Sequence, residues 1–180
     1  MTTGNDDTTR VAPAHGAVNE PGLLILTPWQ RKPAQTLFRF APILRSIWRD
    51  DLADLAAMHT RQWETDRDES GSIFIACVDG KIVGITGWYR MSTHDAGLRW
   101  HGVIPSQRNK GYSRQMIDLV CACMSKKIHH VYEVTRNAES RDAFCRCGFE
   151  VMTDPKVIRR AVDEADYEIG AGGWVLRRTR

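Results

Sequence analysis

The stretch VIPSQRNKGYSR, residues 103–114, decides the fold of this chain. Its first residues predict the end of a β-strand, its middle is a basic turn around Gly111, and Gln115 to Lys126 behind it predict an amphipathic helix. Such a junction brings free backbone N–H groups, the positive end of a helix and three cationic side chains to one point. Gly111 lets the backbone approach a ligand closely. The stretch therefore predicts a phosphate site, with an ordinary solvated connection as the alternative.

Length and composition bound the class of protein. At 180 residues the chain fits one domain, and its 42% hydrophobic and 26% charged residues are typical of a globular protein. A net charge of +3 does not indicate a nucleic-acid partner. No apolar run approaches the length of a membrane span. The N-terminus contains Asp6 and Asp7 and lacks the pattern of a secretory signal, so we expect a cytoplasmic protein with no membrane contact.

The five cysteines do not predict a disulfide framework or a metal site. Cys121 with Cys123 and Cys145 with Cys147 have the spacing of paired ligands, but both pairs fall in stretches predicted to be helical. Residues two apart on a helix point about 200° apart around its axis, so neither pair converges on one zinc ion. We expect small, half-buried, reduced thiols and no metal.

The N-terminal part of the chain is less regular than the rest. Residues 1–35 are predicted to be a disordered or irregular extension, and residues 36–180 to be one domain. Within the extension, Leu23 to Leu26 have the composition of an added strand. Residues 36–46 contain strand-forming side chains interrupted at Pro42, which predicts an edge strand or a bulged one.

A helix is then predicted from Asp50 to Trp63, with one apolar stripe that includes His59. His59 is interpreted as a packed core histidine. The segment ETDRDE, residues 64–69, follows with four acidic residues and one arginine. It is either a solvated loop or the lining of a site for a cationic molecule.

The rest of the chain predicts a sheet. Two apolar, β-branched runs, residues 72–78 and 81–89, flank Asp79-Gly80 and predict a hairpin, and residues 98–103 return as a third strand. Because a helix separates them, residues 98–103 and 130–136 can be parallel neighbours. The fold class is therefore α/β, with an antiparallel meander followed by a parallel crossover at the anion site. The remaining predicted elements are a helix at 137–147, a strand at 149–152, a helix at 156–165 and a strand at 173–178.

Apolar spacing predicts which helix faces are buried. In the helix after the turn this face consists of Met116, Leu119, Val120, Cys123 and Met124. In the helix at 137–147 it consists of Ala143, Phe144 and Cys147.

Two segments, in the correct order, resemble the GNAT superfamily of acetyl-CoA-dependent N-acetyltransferases. The first is VIP followed by QRNKGYS, residues 103–113, which is similar to the family's V-x-P then Q/R-x-x-G-x-G/A signature. The second is similar to the family's N-x-x-[AS]-x-x-x-Y-x-x-x-G-F pattern and consists of Asn137, Ser140, Phe144, Gly148 and Phe149. The order of elements also matches, and the likeness covers roughly residues 36–180.

The resemblance implies that acetyl-CoA is the co-substrate and that its pyrophosphate lies in the basic turn. Ser113 stands where glycine or alanine is usual and adds a hydroxyl group. Phe144 stands where many members carry a tyrosine that protonates the departing thiolate, and phenylalanine has no proton to give. The residues implied to bind acetyl-CoA are Val103, Ile104, Arg108, Asn109, Lys110, Gly111, Tyr112, Ser113, Asn137, Ser140 and Phe144.

Acyl transfer to an amine needs a neutral nitrogen, so a group in the cleft must take a proton. Glu133 is our first candidate for this base, because it lies mid-strand where the sheets of the family splay to admit substrate. The alternative for Glu133 is an edge carboxylate paired with Arg136 or Lys127. His101 is the second candidate, since it should share a face with Val103 two residues later.

The resemblance also implies direct attack of the amine through a tetrahedral intermediate. The backbone N–H of Val103 or of Ile104 would then stabilise the oxyanion. A thiol has a pKa of about 8.5, so departure of the thiolate is the step of the reaction with the lowest free-energy cost. The missing tyrosine therefore predicts a slower enzyme or another proton donor. Tyr112 and Tyr132 are other hydroxyl groups predicted near the cleft.

The leading functional hypothesis is therefore an N-acetyltransferase acting on an amine of a small molecule or a protein. The acidic segment 64–69 favours a cationic acceptor. A non-catalytic module that binds acyl-CoA or a partner protein is an alternative, because of Phe144. A GNAT-like enzyme acting on an RNA-linked amine is another, with faint support from Arg177, Arg178 and Arg180. A homodimer is compatible with the sequence.

Overall fold

A computed structural model of the chain describes residues 23–28, 42–43, 45–47, 71–165 and 173–180. A short 3-10 turn at Pro105–Gln107 precedes the first labelled helix. The labelled elements are β1 (Ile25–Pro28), β2 (Gly71–Val78), β3 (Lys81–Arg90), β4 (Asp95–Val103), α1 (Tyr112–Cys123), β5 (His130–Thr135), α2 (Ala138–Arg146), β6 (Glu150–Val151), α3 (Pro155–Ala165) and β7 (Trp174–Thr179).

The strands form one mixed sheet in the order β1-β2-β3-β4-β5-β7-β6. Every neighbouring pair is antiparallel except β4 and β5, which are parallel and joined through α1. This confirms the predicted meander followed by a parallel crossover. The predicted hairpin also forms: Asp79 and Gly80 have φ angles of 49° and 72°, and two positive φ angles are what the twist of a two-residue hairpin turn requires.

The two parallel strands pair only at their beginnings. The ladder joins Asp95, Ala96 and Gly97 of β4 to His130, Val131 and Tyr132 of β5. From Glu133 onward β5 pairs with β7 alone, among the strands that the structure describes. On the other side, β4 is irregular against β3: the register shifts between Ile85 and Gly87, and Trp100 has a φ of 56°. The sheet therefore opens between the ends of β4 and β5.

The two faces of the sheet carry different helices. The larger core packs α1 and α2 against one face, where Ile117, Val131 and Phe144 belong to a single buried cluster. The other face packs against α3, with Tyr132 and Ala161 in a second cluster. Because successive side chains of a strand alternate between faces, Val131 and Glu133 point towards the side of α1 and α2, and Tyr132 points towards α3.

An ion pair joins α3 to the first residue of β4. The Arg160 guanidinium lies 2.7 Å from the Asp95 carboxylate, whose side chain is only 10% exposed. Ser92 donates a further hydrogen bond of 2.8 Å to the same carboxylate oxygen. None of the helices in the described part of the chain has the length and apolar character needed to cross a membrane.

The first part of the chain differs from its prediction. Of the strand predicted at 36–46, residues 42–43 and 45–46 are helical, and residues 36–41 and 44 lie outside the described residues. Within this helical stretch the Ser46 hydroxyl donates to the Ile43 carbonyl at 2.7 Å. The helix predicted from Asp50 to Trp63 and the acidic segment 64–69 lie outside the described residues.

The predicted buried face after the turn was partly wrong. Met116, Val120 and Met124 are buried as predicted. Ile117 and Cys121 are also buried, whereas Leu119 is only partly buried and Cys123 is exposed. The helix begins at Tyr112, earlier than predicted, and ends at Cys123, because Met124 is extended with φ −75° and ψ 153°. Cys121 and Cys147 are buried while Cys123 and Cys145 are exposed, so each closely spaced pair is split between interior and surface.

Candidate active site

The turn before α1 has the backbone geometry of an anion cradle. Asn109 and Gly111 both have positive φ angles, 63° and 80°, and Gly111 is the N-cap of α1. No side chain caps this helix, so the N–H groups of its first turn point out from an uncapped positive end. A β-carbon at Gly111 would meet nothing closer than the Gln115 side-chain nitrogen at 4.0 Å. A turn of this kind, with alternating backbone conformations, is a typical binding place for phosphate.

Charged side chains of the turn surround this cradle. Arg108 and Lys110 are exposed, and Lys110 Nζ donates to the Gln107 side-chain oxygen at 2.9 Å. The Arg108 Nε donates to the Val103 carbonyl at 3.2 Å, which ties the turn to the end of β4.

The end of β4 presents a backbone N–H to the opening in the sheet. Ile104 N donates to the Val83 carbonyl at 2.9 Å, so the N–H of Ile104 faces β3. Successive backbone groups along an antiparallel strand point to opposite sides, and Val103 is paired with Gly84, one step further. The N–H of Val103 therefore faces away from β3, towards the gap between β4 and β5. Of the two predicted oxyanion donors, Val103 has the suitable direction.

Glu133 lies where β5 leaves β4. It is the first residue of β5 beyond the three paired positions, and it is half-buried on the side of α1 and α2. Its Oε2 atom is buried and has no hydrogen-bond partner among the described residues. Burial raises the pKa of the Glu133 carboxyl well above its ordinary value. The predicted alternative, an edge carboxylate paired with Arg136 or Lys127, would have a cationic partner, and Oε2 has no hydrogen-bond partner among the described residues.

His101 is enclosed and hydrogen-bonded at both ring nitrogens. Its Nδ1 lies 3.0 Å from Thr86 Oγ1, and its Nε2 lies 2.9 Å from Ser113 Oγ. The ring is tilted against Phe144, with 5.3 Å between ring centroids. Burial lowers the pKa of His101 to about 4, so the imidazole is neutral near pH 7. Both nitrogens of His101 are thus engaged in hydrogen bonds to neighbouring side chains.

We expect the buried His101 to make the fold sensitive to acid. Its pKa is about 4 when folded and 6.5 when free, so the unfolded chain binds more protons between these values. Stability is fully present above pH 6.5 and is lost as the pH falls through 4. The unfolding free energy should drop by about 3 kcal/mol across this window. Urea denaturation at stepped pH measures it, and His101→Gln should remove that part of the slope; an unchanged slope would contradict the assignment.

The segment carrying the second motif forms the beginning and body of α2. Asn137 is the N-cap, and its Oδ1 accepts hydrogen bonds from the backbone N–H of Glu139 at 2.8 Å and of Ser140 at 3.2 Å. Phe144 is buried, and its ring meets that of Phe149 edge-on at 5.3 Å. Asn137 therefore caps the N-terminus of α2, and Phe144 packs beside His101 at the site.

The other hydroxyl groups have different positions. Tyr132 is buried in the α3 cluster, on the opposite face of the sheet from Phe144. It also borders a cavity lined by Met91, Tyr132, Lys156, Val157, Arg160 and Ala161, away from the cradle. Tyr112 is half-buried at the start of α1 and packs against the same buried cluster as Val103. Tyr112 thus lies next to the turn at 108–111, and Tyr132 lies on the other face of the sheet.

Sequence reasoning missed Thr86. This residue is fully buried in β3 and holds one nitrogen of His101. A polar residue inside the apolar run KIVGITGWY was the available signal, since a buried hydroxyl needs a hydrogen-bond partner.

Fold and site together define a mixed-sheet α/β protein whose crossover helix begins at an anion cradle beside an opening in the sheet. The family model for the acetyltransferase (GNAT) family matches residues 36–149, more than half of the chain, and the chain belongs to this family. The resemblance inferred from the two motifs is thereby confirmed. Comparison with curated protein sequences gives no match.

Solved structures with the same fold include several acetyltransferases. One from Streptococcus agalactiae is 17% identical with a TM-score of 0.62, covering 87% of this chain and 98% of its own. The Campylobacter jejuni N-acetyltransferase PseH, solved with acetyl coenzyme A, is 12% identical with a TM-score of 0.55, covering 88% of this chain and 99% of its own. A spermidine N-acetyltransferase chimera of Vibrio cholerae SpeG and hSSAT is 14% identical with a TM-score of 0.54, covering 87% of this chain and 94% of its own.

Proposed function

We propose that the protein is an N-acetyltransferase that moves the acetyl group of acetyl-CoA to an amine. The observation that carries this proposal is Glu133, whose Oε2 atom is buried and lacks a hydrogen-bond partner among the described residues at the point where β4 and β5 part. The cradle fits a pyrophosphate because the first N–H groups of α1 are uncapped and the space at Gly111 is open. Acetyl-CoA supplies the activated acetyl group, and PseH was solved with it.

Glu133 would take the proton of the acceptor amine. An amine with a pKa of about 10.4 is neutral in roughly one molecule in two thousand at pH 7, which amounts to about 4–5 kcal/mol. A base works best when its pKa lies near the working pH. Burial raises the pKa of Glu133 well above its ordinary value, which makes it a stronger base than an exposed glutamate.

The backbone would stabilise the charge that forms on the acetyl oxygen. Direct attack of the amine produces a tetrahedral intermediate with a negative oxygen, and a fixed N–H facing that oxygen lowers the barrier. The N–H of Val103 has the required direction, towards the opening between β4 and β5. Arg108 holds the next peptide group along the chain, through the carbonyl of Val103.

The thiolate must leave without the proton donor that a tyrosine would provide at position 144. Departure of a thiolate with a pKa of about 8.5 is hindered at neutral pH by only about 2 kcal/mol. The aromatic ring of Phe144 is packed between His101 and Phe149 and can shape the site without giving a proton. We therefore propose turnover that is slow but present.

The acceptor we propose is a cationic amine, such as a polyamine or a lysine side chain. The support is the acidic segment 64–69, together with a neighbour of the same fold that is a spermidine N-acetyltransferase chimera. A non-catalytic acyl-CoA-binding module is the second candidate, and the observation that favours it is Phe144 at the acid position.

An assay of thiol release separates these two functions. The full chain is incubated with acetyl-CoA and a panel of polyamines, amino-sugars and lysine peptides, and free CoA thiol is measured with a chromogenic disulfide. We expect release that depends on a cationic amine. Tight CoA binding with no release across the panel would favour the binding module.

Restoring the hydroxyl at position 144 should accelerate the reaction. A positioned acid typically contributes ~10²–10⁴-fold, but the step lacks only about 2 kcal/mol, so we expect Phe144→Tyr to raise kcat roughly tenfold. Phe149→Tyr is the matched control, because Phe149 is buried in edge-on contact with the same ring. Steady-state kinetics and thermal melts measure both variants. Equal rates for wild type and Phe144→Tyr, with a lower melting temperature, would show a purely structural ring.

A further inference from the structure

We propose that His101 is a positioning residue that directs the Ser113 hydroxyl as a hydrogen-bond donor to the pyrophosphate of acyl-CoA. This inference rests on the proposed function, because it concerns how the cradle holds that co-substrate. It departs from the pattern of the motif, where a residue without a hydroxyl is usual at position 113, and it gives a role to an enclosed imidazole that the mechanism above does not use.

The contacts hold the imidazole in one orientation. His101 follows the irregular position Trp100 near the end of β4, and Ser113 is the second residue of α1. The hydrogen bond of 2.9 Å between His101 Nε2 and Ser113 Oγ therefore joins β4 to the first turn of α1. Thr86 holds the opposite ring nitrogen at 3.0 Å and Phe144 covers one side of the ring, so the ring has little room to rotate.

The protons of this chain can be assigned by counting donors and acceptors. A neutral imidazole has one N–H and one bare nitrogen. If Nε2 carries the hydrogen, it donates to Ser113 Oγ, and the bare Nδ1 accepts from the Thr86 hydroxyl. The Ser113 hydrogen then points away from His101. In the opposite tautomer the Ser113 hydrogen is used on Nε2, and only the oxygen lone pairs of Ser113 remain for the cradle.

A bound pyrophosphate selects between the two tautomers. Ionised phosphate oxygens accept hydrogen bonds and repel the lone pairs of another oxygen, so they favour the arrangement in which Ser113 donates. The Cys147 thiol is the other hydrogen-bond neighbour of Ser113; burial raises the pKa of this thiol and the bond from Ser113 lowers it. Sulfur is a weak acceptor, so phosphate competes with it successfully for the Ser113 hydrogen.

Two substitutions of similar size test the hydrogen bonds of the two ring nitrogens of His101 separately. The side-chain amide of glutamine can occupy the place of Nε2, and that of asparagine the place of Nδ1. His101→Gln keeps a donor for Ser113, whereas His101→Asn keeps the contact with Thr86 only. Both remove the ring that packs on Phe144, so packing losses are matched between them.

The readout is the affinity for coenzyme A by titration calorimetry, with acetyl-CoA kinetics and thermal melts in parallel. We expect about tenfold weaker binding for His101→Asn and for Ser113→Ala, since a hydrogen bond to a charged group is typically worth ~1.5–3 kcal/mol. His101→Gln should recover most of this loss. The double variant His101→Asn with Ser113→Ala should bind no more weakly than either single variant, because both changes remove one interaction. The KM for acetyl-CoA should rise while kcat changes less than about twofold.

The contrary results are distinct from one another. If His101→Asn and Ser113→Ala melt at lower temperature but bind coenzyme A as the wild type does, the imidazole is only structural and the proposal is overturned. If the losses of the two single variants add in the double variant, His101 does not act through Ser113, and the proposal is equally overturned. If the wild type itself binds no coenzyme A, the proposed function is overturned and this inference with it.

Discussion

Replacing Glu133 by glutamine is expected to lower kcat/KM by ~10²–10⁴-fold, the usual contribution of a positioned base. The amide has nearly the shape of the carboxyl but cannot accept the amine proton. In the wild type, kcat/KM should rise with pH through the raised pKa of Glu133, because only the ionised carboxylate acts as a base. This rising limb should disappear in Glu133→Gln. Thiol-release assays across pH 5–9 test both expectations.

The same substitution should increase stability at high pH. Burial raises the pKa of Glu133 in the folded protein, so the folded chain holds a proton that the unfolded chain has already lost. The associated stability is fully present below the ordinary glutamate pKa and is lost as the pH rises through the raised value. Glutamine has no such penalty. Glu133→Gln should therefore unfold at higher denaturant concentration than the wild type at pH 8–9.

A matched control and a contrary outcome complete this test. Glu150 lies in the exposed strand β6, so Glu150→Gln should alter neither activity nor the pH dependence of stability. If Glu133 instead formed a structural ion pair, Glu133→Gln would destabilise the protein and leave kcat/KM close to the wild-type value. Loss of activity together with a gain of stability is expected only for a buried base without a cationic partner.

Substituting Gly111 by aspartate is expected to weaken coenzyme A binding by ~10²-fold or more. The aspartate would place a β-carbon and a negative charge in the open space of the cradle, where the pyrophosphate is proposed to lie. Two like charges about 4 Å apart repel by up to about 4 kcal/mol near a protein surface. The φ of 80° adds backbone strain of ~1–2 kcal/mol, which acts on stability. Calorimetric titration with coenzyme A measures the affinity.

Two further variants separate charge from strain. Gly80 also has a positive φ, 72°, and lies in the β2–β3 hairpin, where a β-carbon added to it would meet nothing within 4 Å. Gly80→Asp should therefore show the strain and keep full coenzyme A affinity. Gly111→Asn has the shape of Gly111→Asp without its charge, so it should lose less affinity. Wild-type affinity in Gly111→Asp would place the pyrophosphate elsewhere.

The fold was largely predictable because its signals are local. Asp79-Gly80 between β-branched runs specifies a hairpin, and a strand, helix and strand in sequence specify a parallel crossover. The buried face of α1 was less predictable, since packing sets its rotation. In β3, a β-carbon at Gly84 would lie 3.1 Å from Met116 Cε and 2.5 Å from the Gly102 carbonyl oxygen. The missing side chain at Gly84 thus lets α1 lie close to the sheet at Met116.

In the candidate site, too, some features were predictable from local sequence signals and others were set by tertiary packing. The spacing from Asn137 to Phe149 correctly placed Phe144 on the inner face of α2, because a helix repeats its directions every few residues. Strand alternation is interrupted at one point in β4, where Leu98 and His101 both face α1 and α2 although they are three residues apart. The irregular position Trp100 inserts an extra residue into β4 and reverses the alternation after it.

The sequence alone determined the family, the basic turn at residues 108–113 and the phenylalanine at position 144, because these depend on residue identity and local spacing. Only the tertiary structure decided which groups meet. Glu133 lies where β5 leaves β4, with its Oε2 atom buried, and the bulged end of β4 brings His101 against Ser113. Burial and long-range contacts set the proton affinities of these two residues, and neither is encoded within a short stretch of chain.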